Sequence, residues 1–217
     1  MPERVANAGL HRLKNETLDL HHEAERHVRI LDDDATEATY VRFLTRMFGF
    51  HSAMEHVLAG HAALSAAGFD AASRRKQRLL RADLERLGCD VSAIPLCADL
   101  PDIRAIARAV GAAYVLEGST LGGPFILSRM RVRLGYLVGS ASAFLEGYGD
   151  ATGPMWRRFT DIVEGVIVDA ETGDAAVDAA RATFITLITW LDERDAEPPH
   201  PFVRPSESRL VRAGTHS

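Results

Sequence analysis

A histidine and a glutamate near the start of the chain have the spacing of a metal-binding pair. His21 and Glu25 are four residues apart, and Lys14 lies seven residues before His21, so one helical face would carry all three. An imidazole can bind a metal through one nitrogen while a carboxylate orients the ring through the other. A lysine two turns away is placed to pair with a carboxylate of the same ligand. The alternative is an ordinary surface pair; His22, about 100° around the helix, should face solvent.

A stripe of glycines in the middle of the chain is the second unusual feature. Gly111, Gly118 and Gly122 recur at intervals of seven and four residues, so they share one face of a helix. Each interior glycine costs about 1 kcal/mol relative to alanine, so stability is lost along this face. Glycine allows a backbone to come very near a ligand or another helix. The stripe therefore predicts either a bare face for a flat, wide ligand or a close helix–helix contact.

Other candidate sites are weaker. Residues 118–123 lack the G-x-G-x-x-G spacing and a following Gly-Lys-Ser/Thr, and no strand precedes them, which argues against a phosphate-binding loop. His51 is interpreted as a core histidine, because the Glu-x-x-His pairs of di-iron bundles are missing. Two basic groups are interpreted as solvated faces, namely Arg74-Arg75-Lys76 and the trio Arg129, Arg131 and Arg133.

The elements that must position these residues are helices. Apolar residues recur every three to four positions along most of the chain, and no convincing pair of strands is found. Thr36 is predicted to cap the second helix, with Thr39 as a poor capping-box partner. Gly173 is predicted to separate the last two helices. The periodicity predicts helices over about 10–31, 37–66, 71–87, 102–134, 138–147, 153–172 and 174–193.

Composition limits what the chain does. Its 217 residues are 47% hydrophobic and 25% charged, which is typical of a globular protein. The net charge of −5 gives no case for nucleic-acid binding. The N-terminus lacks the apolar stretch of a secretory signal, and no apolar run is long enough to predict a membrane span. Cys89 and Cys97 lack the spacing of a zinc motif and could pair, but because nothing else indicates secretion we expect free thiols and a cytoplasmic protein.

The chain is predicted to form one all-α domain. Residues 1–9 are expected to be a flexible N-terminus, and residues 10–194 a single multi-helical domain. Four prolines stand among polar residues in 195–217, so this segment is expected to be a loosely ordered tail. No internal repeat or linker divides 10–194.

Together these motifs resemble the haem oxygenase family, in particular the bacterial branch that supplies biliverdin to bacteriophytochromes. The pattern L-K-x-x-T-x-x-x-H-x-x-x-E over residues 13–25 is similar to the family's proximal helix. The segment YVLEGSTLGG at 114–123 is similar to its glycine-kinked distal helix. The segment FLEGYG at 144–149, followed by W-x-x-F at 156–159, is similar to the region after it. The resemblance covers about 10–194 and implies the all-helical haem-oxygenase fold.

The resemblance also implies how haem is held, between the first helix and the distal helix. His21 would be the neutral iron ligand, and Glu25 its orienting neighbour. Gly118 and Gly122 would lie over the distal face, where their bare backbone leaves room for dioxygen and directs it toward one meso carbon. The propionate partners would be Lys14 and Arg157.

The implied reaction consumes haem, dioxygen and electrons, and releases biliverdin, carbon monoxide and ferrous iron. Haem would be substrate as well as cofactor, a ferredoxin- or reductase-type donor would supply the electrons, and a bacteriophytochrome would receive the biliverdin. One position departs from the family pattern: many members carry aspartate directly after the first distal glycine, and this chain has Ser119. A hydroxyl donates and accepts hydrogen bonds but holds no negative charge at neutral pH, so turnover would use a different water network.

Three alternatives stay open on the sequence alone. The first is a haem-binding protein without catalysis, which keeps His21 but lost oxygen activation at Ser119. The second is a haem-free enzyme on the same helical scaffold, such as a thiaminase-like or cofactor-free oxidase. The third is a helical interaction protein, in which the glycine stripe serves helix packing alone.

Overall fold

The computed structural model describes residues 7–192, apart from the side chains of residues 136 and 137. These residues form an all-α fold without a β-strand, which confirms the predicted fold class. The segments 1–6 and 193–217, which hold most of the expected N-terminal and C-terminal tails, lie outside the described residues. The described helices are α1 (Ala8–Glu16), α2 (Leu18–His27), α3 (Glu37–Ala59), α4 (Ala62–Ala66), α5 (Gln77–Arg86), α6 (Ile106–Ser140), α7 (Ala143–Glu146), α8 (Thr152–Val166) and α9 (Ala170–Asp192).

The long helices α6 and α9 form the centre of the fold. They pack closely because small residues meet between them, with Gly111 of α6 against Ala176 of α9. Helices α1 and α2 lie along α9, while α3 packs on α5, α6 and α9. Helices α7 and α8 cover other parts of α6. Large side chains such as Tyr40, Met54 and Phe159 are fully buried between these layers.

The first predicted helix is in fact two helices. The break falls at Thr17, which is buried and has non-helical backbone angles of φ −119° and ψ 4°. Its hydroxyl donates to the Leu13 carbonyl oxygen at 2.7 Å, a local bond of the kind that competes with continued helix. Helix α1 also begins at Ala8, slightly before the expected start, and α2 ends at His27 rather than near residue 31.

Other predicted boundaries are wrong as well. The second helix divides at Gly60 into α3 and α4, and residues 71–76 are turns and loop rather than the start of α5. Gly173 lies inside α9, where the Arg12 guanidinium occupies the space a side chain would need. The capping box expected to be poor is complete, since Thr36 and Thr39 each accept the other's backbone N–H through their hydroxyls, at 3.2 and 3.3 Å.

The distal helix α6 runs through the glycine segment without leaving helical backbone angles there. The departure falls at Gly135, with φ 41° and ψ −110°, which a residue without a Cβ can adopt. Pro124 lies inside the helix. The departure from helical backbone angles therefore lies nearer the C-terminal end of α6 than the glycines at 118–123. Within residues 7–192, no helix combines the length and apolarity needed to cross a bilayer.

Candidate functional site

Helices α1 and α2 are fixed to α9 by polar pairs along their length. The pairs are Arg12 with Asp174, Asp19 with Arg181 at 2.9 and 3.0 Å, and His27 with Asp192 at 2.7 Å. Because the residue numbers of the partners rise together, α1–α2 and α9 run in the same direction. Arg181 lowers the pKa of the Asp19 carboxyl, and it also donates to the Glu16 carbonyl oxygen at 2.6 Å, which satisfies an open carbonyl at the end of α1.

His21 lies on α2 between these anchors and stays open to solvent. Its ring packs edge-on against Phe184 of α9, with the centroids 6.0 Å apart, yet half of the side chain remains exposed. Its Nδ1 is 3.6 Å from Glu25 Oε1, which is an ion-pair distance and too long for a hydrogen bond. The predicted neighbours are therefore brought together, and the imidazole is supported on one side while it is free on the other.

The glycines of α6 have two kinds of surroundings. A Cβ placed on Gly111 would collide with the Ala176 carbonyl, and one placed on Gly123 would collide with the Leu145 carbonyl. At Gly118 and Gly122 the same Cβ would meet nothing within 4 Å. The interpretation of close helix packing therefore holds at Gly111 of the predicted stripe. Gly111 and Gly123 serve close packing, while Gly118 and Gly122 leave a bare, open face.

Exposed apolar side chains continue this open face along α6. Leu121 is 47% exposed, Phe125 59% and Val132 87%, and all three lie at helical spacing from Gly118. On α2, Leu18 is 44% exposed one turn before His21. Large apolar side chains are usually withdrawn from water, and a contiguous exposed group of them marks a binding surface.

Contacts between α6 and the N-terminal helices occur on both sides of this region. Burial raises the pKa of Tyr114 on α6, while its contact with Thr17, at the α1–α2 break, opposes the rise. Further along, Arg133 donates to the carbonyl oxygens of Leu31, at 3.2 Å, and Asp32. His21 and the glycines Gly118 and Gly122 fall between these two contacts on their respective chain segments. These contacts attach α6 to the chain on both sides of α2, at Thr17 before it and at Leu31 and Asp32 after it.

Ser119, at the position that departs from the family pattern, turns its hydroxyl toward its own helix. The Ser119 Oγ donates to the Leu116 carbonyl oxygen at 2.7 Å. Its proton is therefore engaged with the backbone, and the hydroxyl oxygen keeps only acceptor capacity for a neighbour.

The two predicted propionate partners lie on different helices, α1 and α8. Lys14 is exposed on α1, and among residues 7–192 it has no ion-pair partner. Arg157 of α8 lines a cavity of about 690 Å³ together with Leu10 and Trp156, and Leu10 is one turn before Lys14. Another cavity of about 680 Å³, beside His27 and Phe43, lies beyond the far end of α2.

A buried charge cluster directly behind the bare glycines was not foreseen. Glu117 is 3% exposed and pairs with Arg74 and with Lys76, whose Nζ is 3.0 Å from Glu117 Oε1. The Tyr148 hydroxyl donates to the same oxygen at 2.9 Å, and burial together with Glu117 raises the pKa of Tyr148. The interpretation of Arg74 and Lys76 as solvated is wrong. The missed signal is Glu117 itself, since a carboxylate within an apolar helical run needs buried cations.

His51 is a core histidine, as predicted. It is buried against Phe144, with ring centroids 5.4 Å apart, and its Nδ1 is 3.1 Å from Glu55 Oε1. Burial lowers the pKa of His51, and the Glu55 bond opposes this in part.

The fold and the site define an all-helical protein with a supported histidine on α2 and a bare, apolar face on α6. That arrangement suits a flat macrocycle carrying a metal, because one side needs an axial ligand and the other needs room. The sequence profile of the heme oxygenase family matches residues 8–193. The chain belongs to the haem oxygenase family.

Individual relatives agree with this assignment. A heme oxygenase of Xanthomonas campestris pv. campestris (strain 8004) is 34% identical over 119 residues, which cover 54% of this chain and 68% of that protein. The NO- and CO-bound heme oxygenase from Neisseria meningitidis superposes with a TM-score of 0.70 at 26% identity, covering 88% of this chain and 96% of that one. The activity is the oxidative cleavage of haem to biliverdin, carbon monoxide and iron, with dioxygen and electrons from a reductase-type donor.

Proposed function

We propose that haem binds between α2 and α6, with His21 as the iron ligand and Gly118 and Gly122 over the opposite face. The observation that carries this proposal is the open space at both glycines, which coincides with exposed apolar side chains on the same helix. A buried, packed face would leave no room for a macrocycle. These residues fit a haem in shape and in chemistry.

On the α2 side, the chain holds and orients the imidazole. Phe184 supports one edge of the His21 ring, and the anchors to α9 fix the helix that carries it. The Glu25 carboxylate lies 3.6 Å from His21 Nδ1, and a side-chain movement of less than 1 Å allows it to accept the Nδ1 proton. The Nε2 nitrogen is then the iron ligand, and the carboxylate raises its basicity.

On the α6 side, the chain supplies space, dryness and a limited set of polar groups. Bound haem iron supplies the activation of dioxygen. Gly118 and Gly122 keep side chains away from that region, while Leu121 and Phe125 cover it with apolar surface. Ser119 contributes a hydroxyl oxygen that accepts a hydrogen bond from water, since its proton is held by Leu116. Lys14 and Arg157 provide positive charge for the propionates.

The proposal extends to partners and location. A ferredoxin- or reductase-type protein supplies the electrons, and a bacteriophytochrome receives biliverdin; the second partner is supported by the sequence resemblance alone. A cytoplasmic location is supported by the free thiol of Cys89.

The test is haem titration of the apo protein, followed by reductant under air. We expect one equivalent of haem to give a Soret band, and His21→Ala to abolish its wild-type position. His11→Ala is the matched control, because His11 is also an exposed histidine on the N-terminal helices and should keep the wild-type spectrum. Reductant should then convert the band to biliverdin. A stable band without biliverdin supports the non-catalytic alternative, and no band at all supports a haem-free protein.

A further inference from the structure

Three metal-binding side chains lie together on the exposed side of α2. The ligand atoms of His21, His22 and Glu25 are all within 4.8 Å of one another, and all three residues are exposed. Within residues 7–192, no other group of three histidine, cysteine or acidic residues comes so close. His22 is exposed, as the sequence predicts, but its ring lies beside that of His21 rather than on a separate part of the helix.

The helix brings these three side chains close together, because Glu25 lies one turn after both His21 and His22. His21 and His22 precede Glu25 by four and three residues, so both imidazoles border the same carboxylate. His21 Nδ1 is 3.6 Å from Glu25 Oε1, and the two imidazole centroids are 6.1 Å apart. A metal with bonds of about 2.0–2.2 Å needs ligand atoms about 3–4 Å apart. Exposed side chains close the remaining gap by rotation, without backbone movement.

Neighbouring charged groups are engaged elsewhere and leave this cluster its own carboxylate. Glu23 pairs with Arg26 and with His27, at 2.9 Å from the His27 Nε2. Asp19 is held by Arg181. Among the described residues, Glu25 has His21 as its ion-pair partner. The cluster therefore offers two imidazoles and one carboxylate to a cation.

We infer that His21, His22 and Glu25 form a site for a divalent transition-metal ion, and that its cargo is the ferrous iron released by haem cleavage. Two histidines and one carboxylate with open positions are the ligand set of non-haem Fe(II) sites. The identity of the cargo rests on the proposed function, in which His21 already holds the iron. His22 and Glu25 then give the iron two further ligands on the same helix as it leaves the opened ring.

One consequence is competition between metal ion and haem. Both need His21 and Glu25, so an ion held by the three side chains takes the imidazole and its orienting carboxylate away from haem. Conversely, haem bound through His21 leaves only His22 for a free ion. Product iron on this cluster therefore slows reloading with haem until it is removed.

The experiment uses the tag-free apo protein and Co²⁺ alone as the probe, with Fe²⁺ added under anaerobic conditions to displace it. We expect a saturable visible Co²⁺ band that His22→Ala and Glu25→Gln weaken at least about tenfold in affinity. Glu23→Gln is the matched control on the same helix and should bind as the wild type does. His22→Ala should still give the haem Soret band, which shows that the helix is intact.

Two results would overturn the inference. One is the absence of any Co²⁺ or Fe²⁺ affinity that depends on His22, and the other is equal weakening by Glu23→Gln, which would indicate general surface charge. Failure of the haem assignment is separately visible. If His21→Ala keeps the wild-type Soret band but loses Co²⁺, the metal site stands and the haem ligand lies elsewhere.

Discussion

At the scale of single residues, Glu117 has the most demanding environment in the described part of the chain. Its carboxylate is buried with Arg74, Lys76 and Tyr148, and it directly precedes Gly118. Buried charges are tolerated only when each one is paired and hydrogen-bonded. The cluster therefore fixes the rotation of α6 about its axis where the bare glycines must face outward.

Removing the Glu117 charge should destabilise the fold strongly. Glu117→Gln leaves two buried cations without their counter-ion, which costs about 3–5 kcal/mol. Chemical denaturation of the apo protein measures the loss. Glu85→Gln is the control, since Glu85 pairs with Arg81 on the surface at 3.8 Å and should cost less than about 1 kcal/mol. Equal losses in both variants would contradict a structural role for the cluster.

His51 should make stability depend on pH. Burial lowers its pKa in the folded protein below the usual value of 6.5, so the unfolded chain binds the proton more readily. The contribution of neutral His51 to the unfolding free energy should therefore be fully present above pH 6.5 and be lost as the pH falls below that value. The charged groups that act on it, Glu55, Lys76 and Glu117, remain in His51→Gln.

The measurement for His51 is the unfolding free energy between neutral and mildly acidic pH. His51→Gln keeps a hydrogen-bond donor near Glu55 but has no titrating ring, so its curve should be flatter than that of the wild type. A wild-type curve that rises toward acid, or an unchanged slope in the variant, would refute the assignment.

At the scale of helices, the glycines of α6 differ in whether an added methyl group should affect stability or activity. Gly111→Ala forces a Cβ into the Ala176 carbonyl and should cost about 1–3 kcal/mol. Gly122→Ala meets open space and should stabilise the apo helix by up to about 1 kcal/mol. The same Gly122→Ala should slow biliverdin formation, because the added methyl projects into the proposed haem region. Denaturation and single-turnover absorption measure the two effects, and an unimpaired rate in Gly122→Ala would place haem elsewhere.

The sequence predicts which segments are helical more reliably than where helices end. Apolar periodicity is a property of many residues, so α3, α6 and α9 could be recognised from it. Boundaries depend on single contacts that are remote in sequence. Arg12 fills the space beside Gly173, so a residue that reads as a stop signal lies within α9. Thr17, in contrast, breaks a helix through a bond to its own turn.

The candidate site was predictable in its parts rather than in its arrangement. The spacing of His21 with Glu25 and the stripe of glycines are visible in the chain, and the structure shows His21 near Glu25 and open space at Gly118 and Gly122. It could not be foreseen that Gly111 packs while Gly118 stays open, because that depends on where α9 runs. Arg74 and Lys76 read as surface cations until Glu117 is seen to draw them inward.

At the scale of the whole molecule, α9 supports both sides of the proposed haem site. It carries the anchors of α1–α2, contacts His21 through Phe184, and packs against α6 at Gly111. Helices α2 and α6 therefore both pack on α9, and the distance between them depends on how each of them packs against it. A ligand that bridges them adds a connection that the apo fold lacks.

Haem should consequently stabilise the entire domain. At free haem about one hundred times its dissociation constant, linkage predicts a gain of about 2.7 kcal/mol in the wild type. His21→Ala should show a much smaller gain at the same haem concentration. Thermal unfolding with and without haem tests this, using His11→Ala as the control. Equal gains in wild type and His21→Ala would indicate that haem binds without His21.

The pairing of the first helix with the last has a consequence for biosynthesis. Arg12 and Asp19 meet partners on α9 that are 162 residues later in the chain, so α1–α2 emerges from the ribosome long before its support exists. At about 5–20 residues per second, that interval lasts roughly 10–30 s. Until then the histidine sits on an unanchored helix. If His21 holds the tetrapyrrole as proposed, we expect loading to follow translation, and nascent chains stalled before α9 should fail to capture it.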